Sequence, residues 1–255
     1  GDHVNSYVRW YCNRNRKVEG DEWDKLYWQT YLNGARARIF NDYLLFLEHK
    51  REPRKMFYKP KIKQFEKFQL IESYQGMLDD KYDILCMPPG TGKTTLLKFF
   101  HSAVIGWFPD DYSLFYSHSS DITRMYYDGV YQMVDDSLEY AWHDIFPDLK
   151  ITSTNALMQQ FNVGKYEPFP SLQTTSVGAK SAGKVRASKF LLTDDMIGSL
   201  EEALNKNYLD KMWGAYTVDA LQRKTVDSNN NPCKEIMQAT RWSTQDVIGR
   251  LIDIY

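Results

Sequence analysis

The segment Met87-Pro88-Pro89-Gly90-Thr91-Gly92-Lys93-Thr94-Thr95 sets two glycines, a lysine and paired hydroxyls between an apolar run and a helix-like stretch. That order of residue types suits the binding of a nucleoside triphosphate such as ATP. Gly90 and Gly92 let the backbone turn after Pro89, so that successive N–H groups from Gly90 to Thr95 face phosphate oxygens. A helix opening near Lys93 adds its positive end. Lys93 reaches the β- and γ-phosphates, and the Thr94 hydroxyl is placed to ligate Mg²⁺. One departure stands out: Met87 occupies the first glycine position of the full pattern. Phe190-Leu191-Leu192-Thr193-Asp194-Asp195 supplies the acidic complement, an apolar strand ending in two carboxylates. Asp194 is the metal-side candidate and Asp195 the water-activating one. We expect the carboxylates on a strand neighbouring the glycine loop, pointing oppositely because strand side chains alternate.

These groups need a scaffold, and the hydrophobic pattern outlines one. Glu22–Leu47 reads as one helix, with aromatic and aliphatic residues near a 3.6-residue period and Gly34 weakening its middle. Beyond residue 64, short apolar runs alternate with helices. Strands are expected at Tyr82–Met87, Tyr112–Ser117, Gln173–Val177, Phe190–Thr193 and Glu235–Ala239. Helices are expected at Phe65–Met77, Thr94–Gly106, Asp121–Val134, Ala203–Leu221 and Gln245–Ile254. The alternation predicts an α/β class: a P-loop NTPase fold with a mostly parallel central sheet flanked by helices, preceded by a small helical N-terminal lobe. We divide the chain into residues 1–58, the lobe with a basic linker, and 59–255, the P-loop domain.

The 255 residues carry a net charge of −1, with 43% hydrophobic and 25% charged residues. This excludes a disordered tail protein and a uniformly basic nucleic-acid coat. Residues 1–49 are neutral, residues 50–67 carry +6 and residues 68–255 carry −7. The basic stretch, broken by Pro53 and Pro60, reads as a linker that is either a solvated connector or a nucleic-acid contact. Three scattered cysteines (Cys12, Cys86 and Cys233) suggest no disulfide framework and a reducing compartment. No apolar run approaches the roughly 18 residues that a membrane span needs.

One further segment is more specific than the glycine loop. Thr240-Arg241-Trp242, followed by Asp246 and Gly249-Arg250-Leu251, resembles the corresponding stretch of large terminase subunits, the DNA-packaging motors of tailed bacteriophages. So do Thr175-Ser176-Val177-Gly178, the run Gly183–Ser188 leading into Leu191-Leu192-Thr193-Asp194-Asp195, and the proline pair before the loop. The match covers roughly Lys59 to Tyr255. It departs at Met196, where many relatives have proline, and at Ser243-Thr244, where His-Glu is common.

The resemblance implies an ATPase that drives double-stranded DNA into a procapsid in the host-cell cytoplasm. Its implied partners are the portal, the small terminase subunit and further copies of itself in a ring, with no membrane. It carries Gly90, Gly92, Lys93 and Thr94 over as the Walker A loop, and Asp194 and Asp195 as Walker B and catalytic acid. Thr240 carries over as the residue coupling phosphate state to the following helix, with helix capping assigned instead to Ser243 or Thr244. Arg186 is favoured over Lys184 and Arg124 as the arginine given to a neighbouring subunit's site. Gln64 is a candidate for the adenine edge, an exposed helix-start residue being the alternative. Such proteins continue into a metal-dependent nuclease domain, which these 255 residues leave no space for, so no nuclease activity is expected of them. Two other readings are a helicase-like or AAA-type nucleic-acid-dependent ATPase, and a nucleotide-dependent assembly module.

Overall fold

The computed structural model describes residues 21–52, 54–57, 65–135, 137–164, 168–179 and 185–254. Gln64, Lys184, Cys12, Pro53, Pro60 and three lysines of the basic stretch (Lys59, Lys61 and Lys63) lie outside them. The chain forms two compact units, residues 1–63 with Met133–Asp148, and residues 64–132 with 149–255.

In the first unit, helices α1 (Asp21–Arg36) and α2 (Phe40–Leu47) replace the single helix expected from the periodicity. The chain breaks between them, with Arg38 at φ 65° in the left-handed region. Gly34 is required by packing: a Cβ there would lie 1.7 Å from Asp42 Oδ2 of the fully buried Asp42. The aromatic stripe is core, with Tyr27 against Tyr31 (4.9 Å) and Trp28 against Phe46 (6.5 Å). The short helix α6 (Trp142–Ile145) joins through Arg36 Nε, which donates to the Ile145 carbonyl at 3.0 Å. Three of the stretch's cations are spent here. Arg51 pairs with Glu48 (2.6 Å) and Glu139 (3.1 Å), Lys55 with Glu139 (3.1 Å), and Lys50 with Asp144. These three side chains therefore neutralise acids of their own lobe.

The second unit is built on a seven-stranded sheet in the order β1-β7-β6-β2-β5-β4-β3. Its strands are β1 (Tyr82–Cys86), β2 (Ser113–Ser117), β3 (Ile151–Asn155), β4 (Gln160–Val163), β5 (Leu172–Ser176), β6 (Phe190–Asp194) and β7 (Lys234–Ala239). β1, β7, β6, β2 and β5 are mutually parallel; β4 and β3 extend one edge as an antiparallel hairpin. Every residue of β2 and β6 is buried, as expected of central parallel strands covered on both faces.

The pleat sorts side chains to two helical layers. On one face, Phe190 meets Phe100 of α4 (Lys93–Trp107), which stacks on Tyr74 of α3 (Phe65–Gly76). Phe115 on that face stacks on Tyr126 of α5 (Ser120–Asp135). On the other, Leu114, Tyr116, Leu191 and Met237 pack with Met212 of α8 (Lys206–Gly214), Tyr216 of the π-helix Ala215–Ala220, and Val247, Ile248 and Leu251 of α9 (Val247–Ile254). The helix expected over Ala203–Leu221 is interrupted. α7 (Leu200–Leu204) ends at Asn205, whose side chain accepts from the Tyr208 N–H to cap α8.

His101 of α4 is fully buried and bonded through Nδ1 to the Tyr126 hydroxyl (3.2 Å), while its Nε2 has no partner. Burial pushes its pKa down to about 3, from an ordinary 6.5. Below pH 6.5 the unfolded chain binds a proton that the folded chain refuses. Stability should therefore fall between pH 6.5 and 3 by about 1.4 kcal/mol per unit from this residue. Denaturant melts of His101→Leu should show that part of the acid slope removed.

Candidate active site

The site lies at the carboxyl ends of the parallel strands, where open α/β sheets bind ligands. β1 ends at Cys86, and the chain turns through Met87–Gly92 into α4. Gly90 (φ 79°) and Gly92 (φ 83°) both take left-handed backbone. A Cβ on Gly90 would meet nothing within 4 Å, so conformation and not crowding calls for glycine there. Pro89 and Gly90 are exposed, and Thr91 Oγ1 closes the loop by donating to the Pro88 carbonyl at 3.0 Å. No side chain caps α4, so the first-turn amides of Lys93, Thr94 and Thr95 form an uncapped helix N-terminus beside the loop. This fits a phosphate group.

The acidic strand is β6, but it does not adjoin β1. β7 lies between them, which corrects the expectation of neighbouring strands. The insertion has a chemical result: Thr240, immediately after β7, stands between the loop and the carboxylates. Lys93 Nζ donates to Thr240 Oγ1 at 2.9 Å and lies 3.5 Å from Asp195 Oδ2. Thr240 Oγ1 in turn faces the Met87 carbonyl at 3.4 Å, and its backbone N–H donates to Asp195 Oδ1 at 2.8 Å. Thr94 Oγ1 donates to Asp194 Oδ2 at 2.7 Å. Lys93, Thr94, Asp194, Asp195 and Thr240 thus meet in one place.

Asp194 and Asp195 diverge for a reason other than strand alternation. β6 stops at Asp194, and Asp195 turns into left-handed backbone with φ 37°. Asp194 is buried to 1% exposure, whereas the Asp195 side chain is 27% exposed. Burial, and then the charge of Asp195, push the Asp194 carboxyl up to about 6, against the pull of Thr94, Gln238 and Lys93. Asp194 Oδ1 is buried with no hydrogen-bond partner. A buried carboxylate short of positive charge, with an idle oxygen beside a threonine hydroxyl, fits a divalent cation. Among the described residues no cluster of three His, Cys, Asp or Glu could hold a metal ion. Thr94 and Asp194 could supply the one or two protein oxygens that Mg²⁺ takes beside waters and substrate phosphates.

The remaining candidates are spread more widely. Arg186 precedes β6, at the end of the strand away from the loop, and its Nη1 donates to the Gln222 carbonyl at 3.3 Å. Within one chain it does not join the cluster. Arg124, on α5, is 3.5 Å from Asp128. The cap of α9 is Asp246, not Ser243 or Thr244: its Oδ1 accepts from the Gly249 N–H at 2.7 Å. Asp246 Oδ2 takes Arg241 Nε at 3.0 Å, so Thr240, Arg241 and the α9 terminus form one bonded unit. Gly249 is needed because a Cβ would lie 1.9 Å from the Thr244 carbonyl oxygen.

Three residues at the site escape sequence reasoning. Gln238, fully buried on β7, accepts from the Tyr74 hydroxyl at 2.6 Å and flanks Asp194. His118, just beyond β2, bonds through Nδ1 to the Asp195 carbonyl oxygen. None of Tyr74, Gln238 and His118 lies in a recognisable local pattern; only the assembled sheet brings them together.

The sequence matches no family profile and no curated protein. Among solved structures, it is similar to the crystal structure of the HK97 bacteriophage large terminase, at 12% identity and a TM-score of 0.51. The likeness covers 84% of this chain and 40% of that one, so this chain spans less than half of that protein's length. At that identity the likeness is one of architecture: this chain has the fold of part of a bacteriophage large terminase.

Proposed function

We propose that this chain is the motor part of a large terminase, hydrolysing ATP with Mg²⁺ to drive double-stranded DNA into a procapsid. The observation that carries the reading is the convergence of Lys93, Thr94, Asp194, Asp195 and Thr240 at the ends of β1, β6 and β7. The terminase-like Thr240–Leu251 segment and the shared architecture support it.

Lys93 and the amides from Gly90 to Thr95 bind and orient the phosphates. Thr94 and Asp194 would hold Mg²⁺, which would neutralise charge on the phosphate oxygens. Asp195 has Oδ1 fixed by the Thr240 N–H, leaving Oδ2 to orient water for attack on the γ-phosphorus and to take its proton. The bond from that phosphorus to the bridging oxygen breaks as ADP leaves. Lys93 cannot serve a phosphate and keep both of its present partners at full strength. Its departure from Thr240 would loosen the Thr240–Arg241–Asp246 unit and so report nucleotide state to α9. Arg186 would act on the site of a neighbouring copy in a ring at the portal, with the small subunit as a further partner.

ATP turnover measured with and without nucleic acid tests this reading. Double-stranded DNA should stimulate turnover more than single strands do, and DNA binding should weaken steeply with salt as phosphate contacts are lost. A strict requirement for single strands would favour a helicase-like enzyme. Salt-independent docking without turnover would favour an assembly module.

A further inference from the structure

Asp195 is held in a backbone conformation that non-glycine residues adopt rarely and at a cost. Its surroundings must therefore hold it there. The Asp195 N–H donates to the Gln238 carbonyl at 3.0 Å, and its Oδ1 accepts from the Thr240 N–H at 2.8 Å. Both anchors come from β7 and the residue that follows it. The third comes from the opposite side, where His118 follows β2 and bonds through Nδ1 to the Asp195 carbonyl oxygen. The register explains the meeting: Ser117 pairs with Asp194, so the next residue on each strand falls side by side. A carbonyl oxygen only accepts, so His118 must carry its proton on Nδ1. Gly198 lies close to the far edge of the ring. A Cβ on Gly198 would lie 2.6 Å from His118 Nε2, so the imidazole occupies space that only glycine leaves open.

We infer that His118 is a positioning residue for hydrolysis: seated on Gly198, it donates from Nδ1 to the Asp195 carbonyl and fixes the direction of the Asp195 carboxylate. The inference rests on the reading of Asp195 as the water-orienting acid. Without the histidine, the Asp195 carbonyl loses its anchor and only the two contacts with Gln238 and Thr240 oppose relaxation out of the left-handed conformation. The carboxylate would then shift while Lys93, Thr94 and the glycine loop stay as they are. Substrate binding is preserved and the chemical step is lost.

The test compares His118→Ala, His118→Asn, His118→Gln and Gly198→Ala by steady-state kinetics and NMR. Asparagine places an N–H where Nδ1 stands, and glutamine places one nearer Nε2. His118→Ala and Gly198→Ala should lower kcat by about 10- to 100-fold, as misplacement of a reacting group does, with KM for ATP little changed. His118→Asn should recover most of the loss and His118→Gln should not. In the intact protein, nitrogen-15 shifts of the imidazole should show the proton on Nδ1. The Thr240 amide, protected by Asp195, should exchange faster in His118→Ala than in His118→Asn. Unchanged kcat in His118→Ala, equal recovery by glutamine, or a proton found only on Nε2 would each overturn the inference. Absence of turnover in the intact protein would instead sink the ATPase reading, and the tautomer and Thr240 exchange would still decide the positioning role.

Discussion

Lys93→Ala should abolish ATP turnover, with a loss of about 10³-fold or more, while the protein keeps its fold. The magnitude follows from two duties held by one ammonium. It is the buried cation of the loop that can meet developing phosphate charge, and removing a single such preorganised donor costs about 10²- to 10³-fold. It is also the positive partner standing between Thr240 and Asp195. Its removal takes away a charge that pulls the Asp194 carboxyl down and leaves the charge of Asp195, so that carboxyl moves further upward from about 6. The α4 core does not depend on it, because Leu96, Leu97, Phe99 and Phe100 supply the buried face. Coupled-assay turnover, read beside circular dichroism, checks both halves. Turnover near the unmutated value in a folded variant would remove Lys93 from the site.

Asp195→Asn should separate binding from chemistry. Asparagine keeps the size of the side chain and an oxygen for the Thr240 N–H, but loses the charge that we propose orients water and accepts its proton. Turnover should drop by roughly 10²- to 10⁴-fold, the usual contribution of a general base. Nucleotide affinity, measured by fluorescent-analogue titration, should be kept, because Lys93, Thr94 and the loop amides remain. The variant also gives a test of Arg186. A chain with Arg186→Ala retains Asp195, and a chain with Asp195→Asn retains Arg186. Mixed assemblies would therefore contain some interfaces with both groups intact. Recovered activity in the mixture, absent from either variant alone, is the expected result of an arginine given across an interface. A mixture no better than its parts would rule out that role.

The parallel core was legible because its strands are short, apolar and bounded by turn residues. β2, β6 and β7 begin and end within a residue of the sequence expectation. The hairpin of β3 and β4 was not, since Ile151-Thr152-Ser153-Thr154-Asn155 is polar and half exposed at the sheet edge, where burial leaves little signature. The break at Arg38 was also hidden. Ala37 and Arg38 are good helix formers, and it is the seating of Asp42 against Gly34 that tertiary packing imposes. At the site, the glycine loop and the paired aspartates could be read because contiguous residues carry them. His118, Gln238 and Tyr74 could not, because their meaning comes from strand order. The Asp246 cap was within reach, as an aspartate directly before an apolar helical run, but Ser243 and Thr244 competed for the same role.

The placement of β7 also bears on how the protein is made. Among the described residues, β1 pairs with β7 alone, and about 150 residues of sequence separate these neighbours. Synthesis runs from the N-terminus, so the glycine loop emerges long before the strand that will flank it. Until Lys234–Ala239 leaves the ribosome, β1 has no ladder to join, and β6 lacks the neighbour that brings Thr240 to Lys93. A nascent chain stopped short of β7 would therefore carry the whole glycine loop and both aspartates and still lack the contact between Lys93 and Thr240. The cluster is completed late, when one central strand slots between two others already made.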